Sequence, residues 1–344
     1  MQAERRLWGI HNDAYGQELI DEGYISIGWS ELGDLRRLGN DQVIMREAVA
    51  ASYPGIKPGA VAGWAATVRR FAFEAAVGDL VIFPNKQDRT LNFGQISGGY
   101  EFVAGAIQPH RRSVRWIKTG VARSLFSQPA LYEVGSALTM FAVRNNATEF
   151  ITFIDASTED QFVEEQPRVV QPRSDEDAVE AASSMPSAER IDQHTRDYVA
   201  AMLLTELSHE EFEHFAADLL RCLGYQARVT QFGGDGGVDV IAHKDQLGLE
   251  PPIIKVQCKH TVATQGRPVV QQLIGTLAKD EAGLFLTLGN FSAEALAVER
   301  ERQNLRLFSG ADITELVLLN YDQLPTRWRA KLPLRRVLAV DVDV

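Results

Sequence analysis

Cysteine is nearly absent: Cys222 and Cys258 are the only two in 344 residues, and both lie in apolar contexts. A disulfide scaffold and a multi-cysteine zinc cluster are thereby excluded. No apolar run approaches the roughly 20 residues needed to span a bilayer, and Met1-Gln2-Ala3-Glu4-Arg5-Arg6 has no apolar signal region behind it. A cytoplasmic protein with no membrane partner is the expectation. An overall basic excess is also missing, since 35 Lys and Arg face 46 Asp and Glu for a net charge of −11, whereas nucleic-acid binders often carry a basic footprint. The deficit is uneven. Residues 161–200 hold nine acids and four bases, a net of −5, while residues 1–160 are near balance with sixteen bases and eighteen acids.

What is present is enough apolar sequence, 45% of the chain, for two packed domains. The acidic stretch separates them. Glu164-Glu165-Gln166-Pro167, Gln171 to Asp177 and Ser183-Ser184-Met185-Pro186-Ser187 mix proline, serine and charge with little apolar periodicity, as a linker does. We therefore divide the chain into an N-terminal domain at 1–160, a linker at 161–198, a second domain at 199–325 and a tail at 326–344. The linker's end, Ile191 to Leu207, reads as a helix that docks through Met202, Leu203 and Leu204. In the tail, five basic residues between Arg327 and Arg336 precede an alternation of Val340, Val342 and Val344 with aspartates. An edge strand or a dimer contact is expected there.

The chemistry concentrates in the second domain. Gly233-Gly234-Asp235-Gly236-Gly237 leads into Val238-Asp239-Val240-Ile241-Ala242, where one carboxylate interrupts an apolar strand. A buried acid is costly unless it is paired, hydrogen-bonded or bound to a metal. Eighteen residues later, Val256-Gln257-Cys258-Lys259 reads as a strand whose alternation puts Gln257 and Lys259 on one face. Taken alone, that pattern also describes an ordinary solvated strand face. The glycines beside the buried acid favour a site, because they let backbone approach a ligand, although the P-loop lysine and Ser/Thr are absent.

Ahead of these strands, Ser208 and Glu211 form a capping-box pattern, and Phe212, Phe215, Ala216, Leu219, Leu220 and Leu223 make an apolar stripe that ends at Gly224. Helical spacing sets Glu213 at the edge of that stripe, compatible with a cleft-facing or a solvated side chain. Downstream, a helical pattern from Val269 to Leu277 and a strand from Gly283 to Leu288 follow. Ser292 caps a further helix, and Leu305 to Phe308 reads as a last strand. The class expected is α/β and α+β, with a mixed sheet flanked by helices in the second domain.

Leu207-Ser208-His209-Glu210-Glu211-Phe212-Glu213, Leu223-Gly224-Tyr225, Gly234 to Asp239 and Gln257-Cys258-Lys259 resemble the catalytic domain of Mrr-type restriction endonucleases, within the PD-(D/E)xK nuclease superfamily. The resemblance runs from about Leu207 to Leu324. It implies a deoxyribonuclease using Mg2+, with Mn2+ as a substitute. Asp239, Gln257, Glu213 and the Cys258 backbone carbonyl would be its ligands, and Lys259 the catalytic lysine. Gln257 stands where the wider superfamily has Glu, and a neutral amide is a weaker ligand. Asp235 is read as a turn former.

The N-terminal domain reads as strand-rich, with strands near Leu80–Phe83, Phe93–Tyr100 and Ser113–Ile117 and helices near Tyr15–Glu22 and Asp41–Ser52. Trp8-Gly9-Ile10-His11, Ile27-Gly28-Trp29, Gly78 to Val81 and Gly94 to Gly98 resemble the PUA-like superfamily, whose EVE domains hold a flipped modified base. On that resemblance Trp8, His11, Tyr15, Trp29 and Tyr100 would form an aromatic slot. Arg112, Arg115 and Trp116 would lie at the DNA backbone. The same aromatics also suit the core of a small β domain.

Together these readings give a DNA endonuclease that restricts modified or foreign DNA, expected to work as a homodimer or higher homo-oligomer because two strands need two sites. A DNA repair or junction-resolving nuclease uses the same residues. A nucleic-acid sensor with a degenerate nuclease fold is the reading that Gln257 would favour.

Overall fold

The computed structural model describes residues 5–136, 138–159, 161–162, 188–230, 237–245, 248 and 250–338. By packing, the described chain falls into two compact units: residues 5–121 with 129–157, and residues 122–128, 158–159, 161–162 and 188 onward. The short segments 122–128 and 158–162 thus join the C-terminal unit, a crossing that the linear division of the sequence did not contain.

The N-terminal unit runs β1 (Leu7–Ile10), α1 (Gln17–Glu22), β2 (Tyr24–Ile27), α2 (Gln42–Ser52), α3 (Pro58–Arg69), β3 (Leu80–Asn85), β4 (Thr90–Phe102), β5 (His110–Val121), α4 (Gln128–Val134), β6 (Met140–Ala142) and α5 (Ala147–Asp155). Its six-stranded sheet has the order β2-β5-β4-β3-β1-β6. All neighbours are antiparallel except β1 and β3. The helices foreseen near 15–22 and 41–52 are present, the second capped by Asp41, which accepts from the Val43 and Ile44 amides. Helix α3 was not foreseen, because its Pro-Gly-Ala-Val-Ala-Gly opening combines the residues that most weaken a helix reading. Phe71, Phe83, Val68, Ile25 and Met45, all fully buried, centre the core.

The C-terminal unit runs α6 (Ala188–Thr205), α7 (His209–Cys222), β7 (Gln226–Val229), β8 (Val240–His243), β9 (Ile253–Lys259), α8 (Arg267–Gly275), β10 (Glu281–Thr287), α9 (Ala293–Arg300), β11 (Leu305–Phe308), α10 (Gly310–Leu319) and α11 (Thr326–Lys331). Its sheet order is β11-β10-β9-β8-β7. β9, β10 and β11 are parallel and β7 and β8 antiparallel, the mixed sheet expected. Helices cover both faces. Val256, Cys258, Leu284 and Leu286 pack with Phe212, Phe215, Val199, Leu203 and Ile313 on one side. Phe285, Val270, Leu273, Ala295 and Val298 pack together as a second cluster. Burial of a Phe of this kind contributes about 1.5–3 kcal/mol.

The helix signals behave as read. Ser208 accepts from the Glu211 amide while the Glu211 carboxylate accepts from the Ser208 amide, and Gly224 ends α7 at φ 88°. Ser292 accepts from the Ala295 amide at the start of α9. In α6, which begins three residues before Ile191, Leu203 is fully buried and Met202 and Leu204 pack beside it.

The beginning of the tail forms a helix. Residues 326–331 are helical, and Trp328 and Leu332 are buried in the core of the unit. The Trp328 indole N–H donates to Asp218 Oδ2 at 2.8 Å, and Arg327 and Arg221 pair with the same carboxylate. An aromatic anchor with a buried polar partner outweighed the local basic charge. The alternation at 340–344 lies outside the described residues, as do the glycines 233, 234 and 236, Asp235 and most of the acidic linker.

Candidate active site

Asp239 is set by backbone before it is set by side chains. Its amide donates to the Val256 carbonyl at 2.8 Å and its carbonyl accepts from the Thr230 amide at 2.9 Å, so it is held between β7 and β9 at the mouth of β8. The Thr230 hydroxyl adds a bond to the Val238 carbonyl at 2.7 Å. Asp239 Oδ2 accepts from the Cys258 amide at 2.6 Å, which commits one carboxylate oxygen and leaves Oδ1 without such a bond.

Pairing of β9 with β10 puts Gln257 opposite Phe285 and Lys259 opposite Thr287, so the two lie on one face as strand alternation requires. Gln257 is 4% exposed, and its buried Oε1 has no hydrogen-bond partner among the described residues. Such an orphan acceptor costs on the order of 1–3 kcal/mol. Gly237, at φ 93°, crosses close by: a Cβ there would stand 3.1 Å from Gln257 Nε2. Only glycine suits both that backbone and that approach.

Glu213 resolves the ambiguity of its helix position, being 5% exposed on α7. Burial pushes its carboxyl above the usual range, and the Asp239 charge pushes it further. Burial likewise raises Asp239, opposed by the Cys258 amide and by the Lys259 and His209 charges. Both carboxyls are thus raised by burial, and Glu213 also by the Asp239 charge, a pattern common where a site receives a cation. The Cys258 thiol, fully buried, is pushed well up and is inert as a nucleophile.

The donor set suits a hard divalent cation: two carboxylates and an unpartnered amide oxygen, all oxygen ligands. Among the described residues no three His, Cys, Asp or Glu side chains form a closed cage. His209 is a residue to which the sequence reading gave no role. It opens α7 with its Nε2 3.5 Å from Glu213 Oε1, and the one available signal was its i, i+4 spacing from Glu213.

The N-terminal residues are placed differently. Trp8 is buried and donates its indole N–H to Asp79 Oδ2 at 2.8 Å. Trp116 donates its own to the Leu19 carbonyl at 3.0 Å. His11 stacks on Phe141 with ring centroids 5.6 Å apart. Tyr15, Trp29 and Tyr100 pack half-buried against the same core as Trp8, and Trp29 meets Trp64 edge-on. This set lines the core, where two of its indoles have their polar atoms bonded inside the unit. Arg112, expected at a phosphate, is buried and donates to the Phe71, Ala72 and Gly98 carbonyls. Phe71 and Ala72 belong to a π-helical turn at Arg70–Glu74, whose carbonyls the guanidinium satisfies. Arg115 is exposed and donates to Gln95 Oε1 at 3.0 Å.

Comparison with known proteins bears on each unit separately. Residues 204–317 match the family model Mrr_cat, described as "Restriction endonuclease". Residues 6–143 match a "Domain of unknown function (DUF8426)", which leaves the PUA-like likeness unconfirmed. The type IV methyl-directed restriction enzyme EcoKMrr of Escherichia coli (strain K12) is 34% identical over 186 residues, covering 50% of this chain and 58% of that protein. The chain thus spans well under two thirds of that relative. Among solved structures, the DNA modification-dependent restriction endonuclease AspBHI aligns at 18% identity and a TM-score of 0.34, covering 74% of this chain and 67% of that one. MspJI restriction endonuclease in complex with a 27-mer oligonucleotide aligns at 12% and 0.31, covering 95% and 71%. Overlaps of that quality carry no weight for the arrangement. The site therefore rests on its own geometry and on the family match, by which residues 204–317 constitute a restriction endonuclease domain of the Mrr type.

Proposed function

We propose that the protein is a divalent-metal-dependent DNA endonuclease that restricts modified or foreign DNA, with its N-terminal unit selecting the target. The observation that carries this reading is the buried Gln257 Oε1, unpartnered among the described residues, on the strand whose Cys258 amide holds Asp239, together with the Asp239 and Glu213 carboxyls, both raised above their usual range. Asp239 through Oδ1, Gln257 through Oε1, Glu213 and the Cys258 carbonyl would hold Mg2+ or Mn2+. When bound there, the cation supplies Lewis-acid stabilisation of a phosphoryl oxygen.

The chain's own residues do the remaining work. Lys259 projects from the same strand face as Gln257 and places positive charge where negative charge grows on the phosphodiester. The Cys258 amide fixes the Asp239 carboxylate in rotation, so its free oxygen keeps one direction without further ordering cost. Gly237 lets the backbone pass close to the Gln257 amide. Modified DNA enters as substrate through the likeness to a methyl-directed enzyme, and cutting both strands calls for a homodimer.

The test is cleavage of methylated and unmethylated plasmid by the full chain with Mg2+ or Mn2+. Wild type is expected to cut the methylated form with metal and Lys259→Ala to cut neither. If wild type and Lys259→Ala cut equally little under every condition, the nuclease reading fails.

A further inference from the structure

The N-terminal unit carries a groove of about 1600 Å³. Small-molecule sites measure roughly 300–1,000 Å³, so an extended partner suits it better than a compact one. Helix α5 builds one wall: it turns Phe150, Phe153 and Ile154 into the core and leaves Ala147, Thr148, Ile151 and Asp155 to line the groove. The ends of β1 and β6 build the other. Trp8 pairs with Ala142, and the Val143 amide continues the ladder by donating to the Leu7 carbonyl at 2.9 Å. That register sets Arg6 beside Arg144, and both line the groove. Like charges so placed on neighbouring strands repel. Backbone bonds hold them there: the Arg6 carbonyl accepts from the Leu80 amide at 2.9 Å, and Glu133 accepts from the Arg144 and Asn145 amides at 2.7 and 3.0 Å. The acids of the groove are committed elsewhere, Asp155 to Arg5 and Glu74 to Arg69. Arg6 makes no ion pair among the described residues. In a chain of net charge −11, this groove reverses the local sign.

Resting on the nuclease reading above, we propose that this groove is where the N-terminal unit holds the DNA substrate, with Arg6 and Arg144 taking phosphates of its backbone. A guanidinium presents a planar fork of donors that matches a phosphate. Anionic oxygens between two neighbouring arginines also offset their mutual repulsion. An acidic peptide would answer the same charge, but the restriction endonuclease domain on this chain makes DNA the polyanion it handles. Phosphate contacts fix position without reading bases. The groove therefore holds methylated and unmethylated DNA alike.

The experiment is fluorescence anisotropy of methylated and unmethylated duplexes with the full chain in EDTA, which removes any metal step. Wild type is compared with Arg6→Gln, with Arg6→Glu combined with Arg144→Glu, and with Arg46→Glu, an exposed position on α2 outside the groove. The double variant is expected to bind both duplexes on the order of 10–100-fold more weakly at about 0.1 M salt, with a log–log salt slope shallower by about 2. Arg6→Gln, the milder change should the double variant misfold, is expected to lose about 1 from that slope. Arg46→Glu is expected to bind as wild type does. Arg6→Gln or a folded double variant that loses no more affinity than Arg46→Glu overturns the proposal. So does a loss confined to the methylated duplex, or a wild type that binds neither. If the variants keep DNA but lose binding to poly-glutamate, the groove belongs to an acidic protein and the proposal falls. Plasmid cleavage with Mn2+ decides the nuclease reading separately, since a protein that cuts nothing yet loses DNA through Arg6 keeps the groove and drops the nuclease.

Discussion

Helix α7 carries two buried acids, Glu213 and Asp218, on residues five apart, and the protein treats them in opposite ways. Asp218 receives Arg221, Arg327 and the Trp328 indole N–H. Burial tends to raise its carboxyl, but the bonds from Arg327, Trp328 and Arg221 win and hold it below the usual range. Glu213 has His209 at 3.5 Å and a second carboxylate, Asp239, in its field. Its carboxyl is raised. The contrast separates an acid that fastens the fold from an acid that is held for another purpose. Both are buried to the same degree, at 5% exposure, so burial alone does not distinguish them. Pairing does.

The comparison breaks most sharply on activity. Lys259→Ala should reduce metal-dependent DNA cleavage by roughly 10²–10³-fold, the usual cost of removing one preorganised charge from a transition state, while circular dichroism and the melting temperature stay near wild type. Equal cleavage by the variant would detach this face from the chemistry. Next comes Asp218→Ala, read by urea denaturation. It strands the buried Trp328 N–H, while Arg221 and Arg327 retain water, so about 2–3 kcal/mol of stability should be lost. Cleavage per folded molecule should be unchanged. A smaller loss would mean that α11 holds through Trp328 packing alone.

In the opposite direction, Glu213→Gln should stabilise the metal-free protein at neutral pH by about 1 kcal/mol, the scale on which active sites trade stability for function. The same variant should bind Mn2+ more weakly. A destabilised Glu213→Gln would show that the acid is structural after all.

The subtlest measurement is the pH dependence of these differences. Asp218 has a depressed folded pKa, so its contribution is complete above its unfolded value, about 4, and is lost as pH falls through the folded value. Glu213 has a raised folded pKa. Its ionised form costs stability above that value, and the cost fades as pH falls through it, vanishing below about 4. The gap between wild type and Glu213→Gln should therefore narrow between neutral pH and about 4, where the gap to Asp218→Ala still holds. Parallel behaviour of the two gaps would erase the distinction.

Much of the C-terminal unit was legible because its signals are local. The Ser208–Glu211 capping box, the stripe ended by Gly224 and the Gln257–Lys259 alternation each need only a few neighbouring residues. The N-terminal unit was read less well. Helix α3 opens with proline and glycine, and of the aromatics read as a base slot, Trp8, Tyr15, Trp29 and Tyr100 pack against the core of that unit. Arg112 looked like a phosphate contact because a strand pattern reports the face and not what covers it. A π-helical turn forty residues away supplied the carbonyls that occupy it.

By itself, then, the sequence determined which residues share a face: Gln257 with Lys259, and Glu213 at the margin of an apolar stripe. The backbone period fixes these things without any partner. The tertiary structure decided which margins are buried and which buried charges are matched. Glu213 went inside with an imidazole at its rim, Asp218 was tied to a helix more than a hundred residues away, and Gln257 was buried with its amide oxygen unpartnered among the described residues. The physical reason is that burial and pairing energies depend on contacts between distant segments, and a local period carries no record of which segments those are.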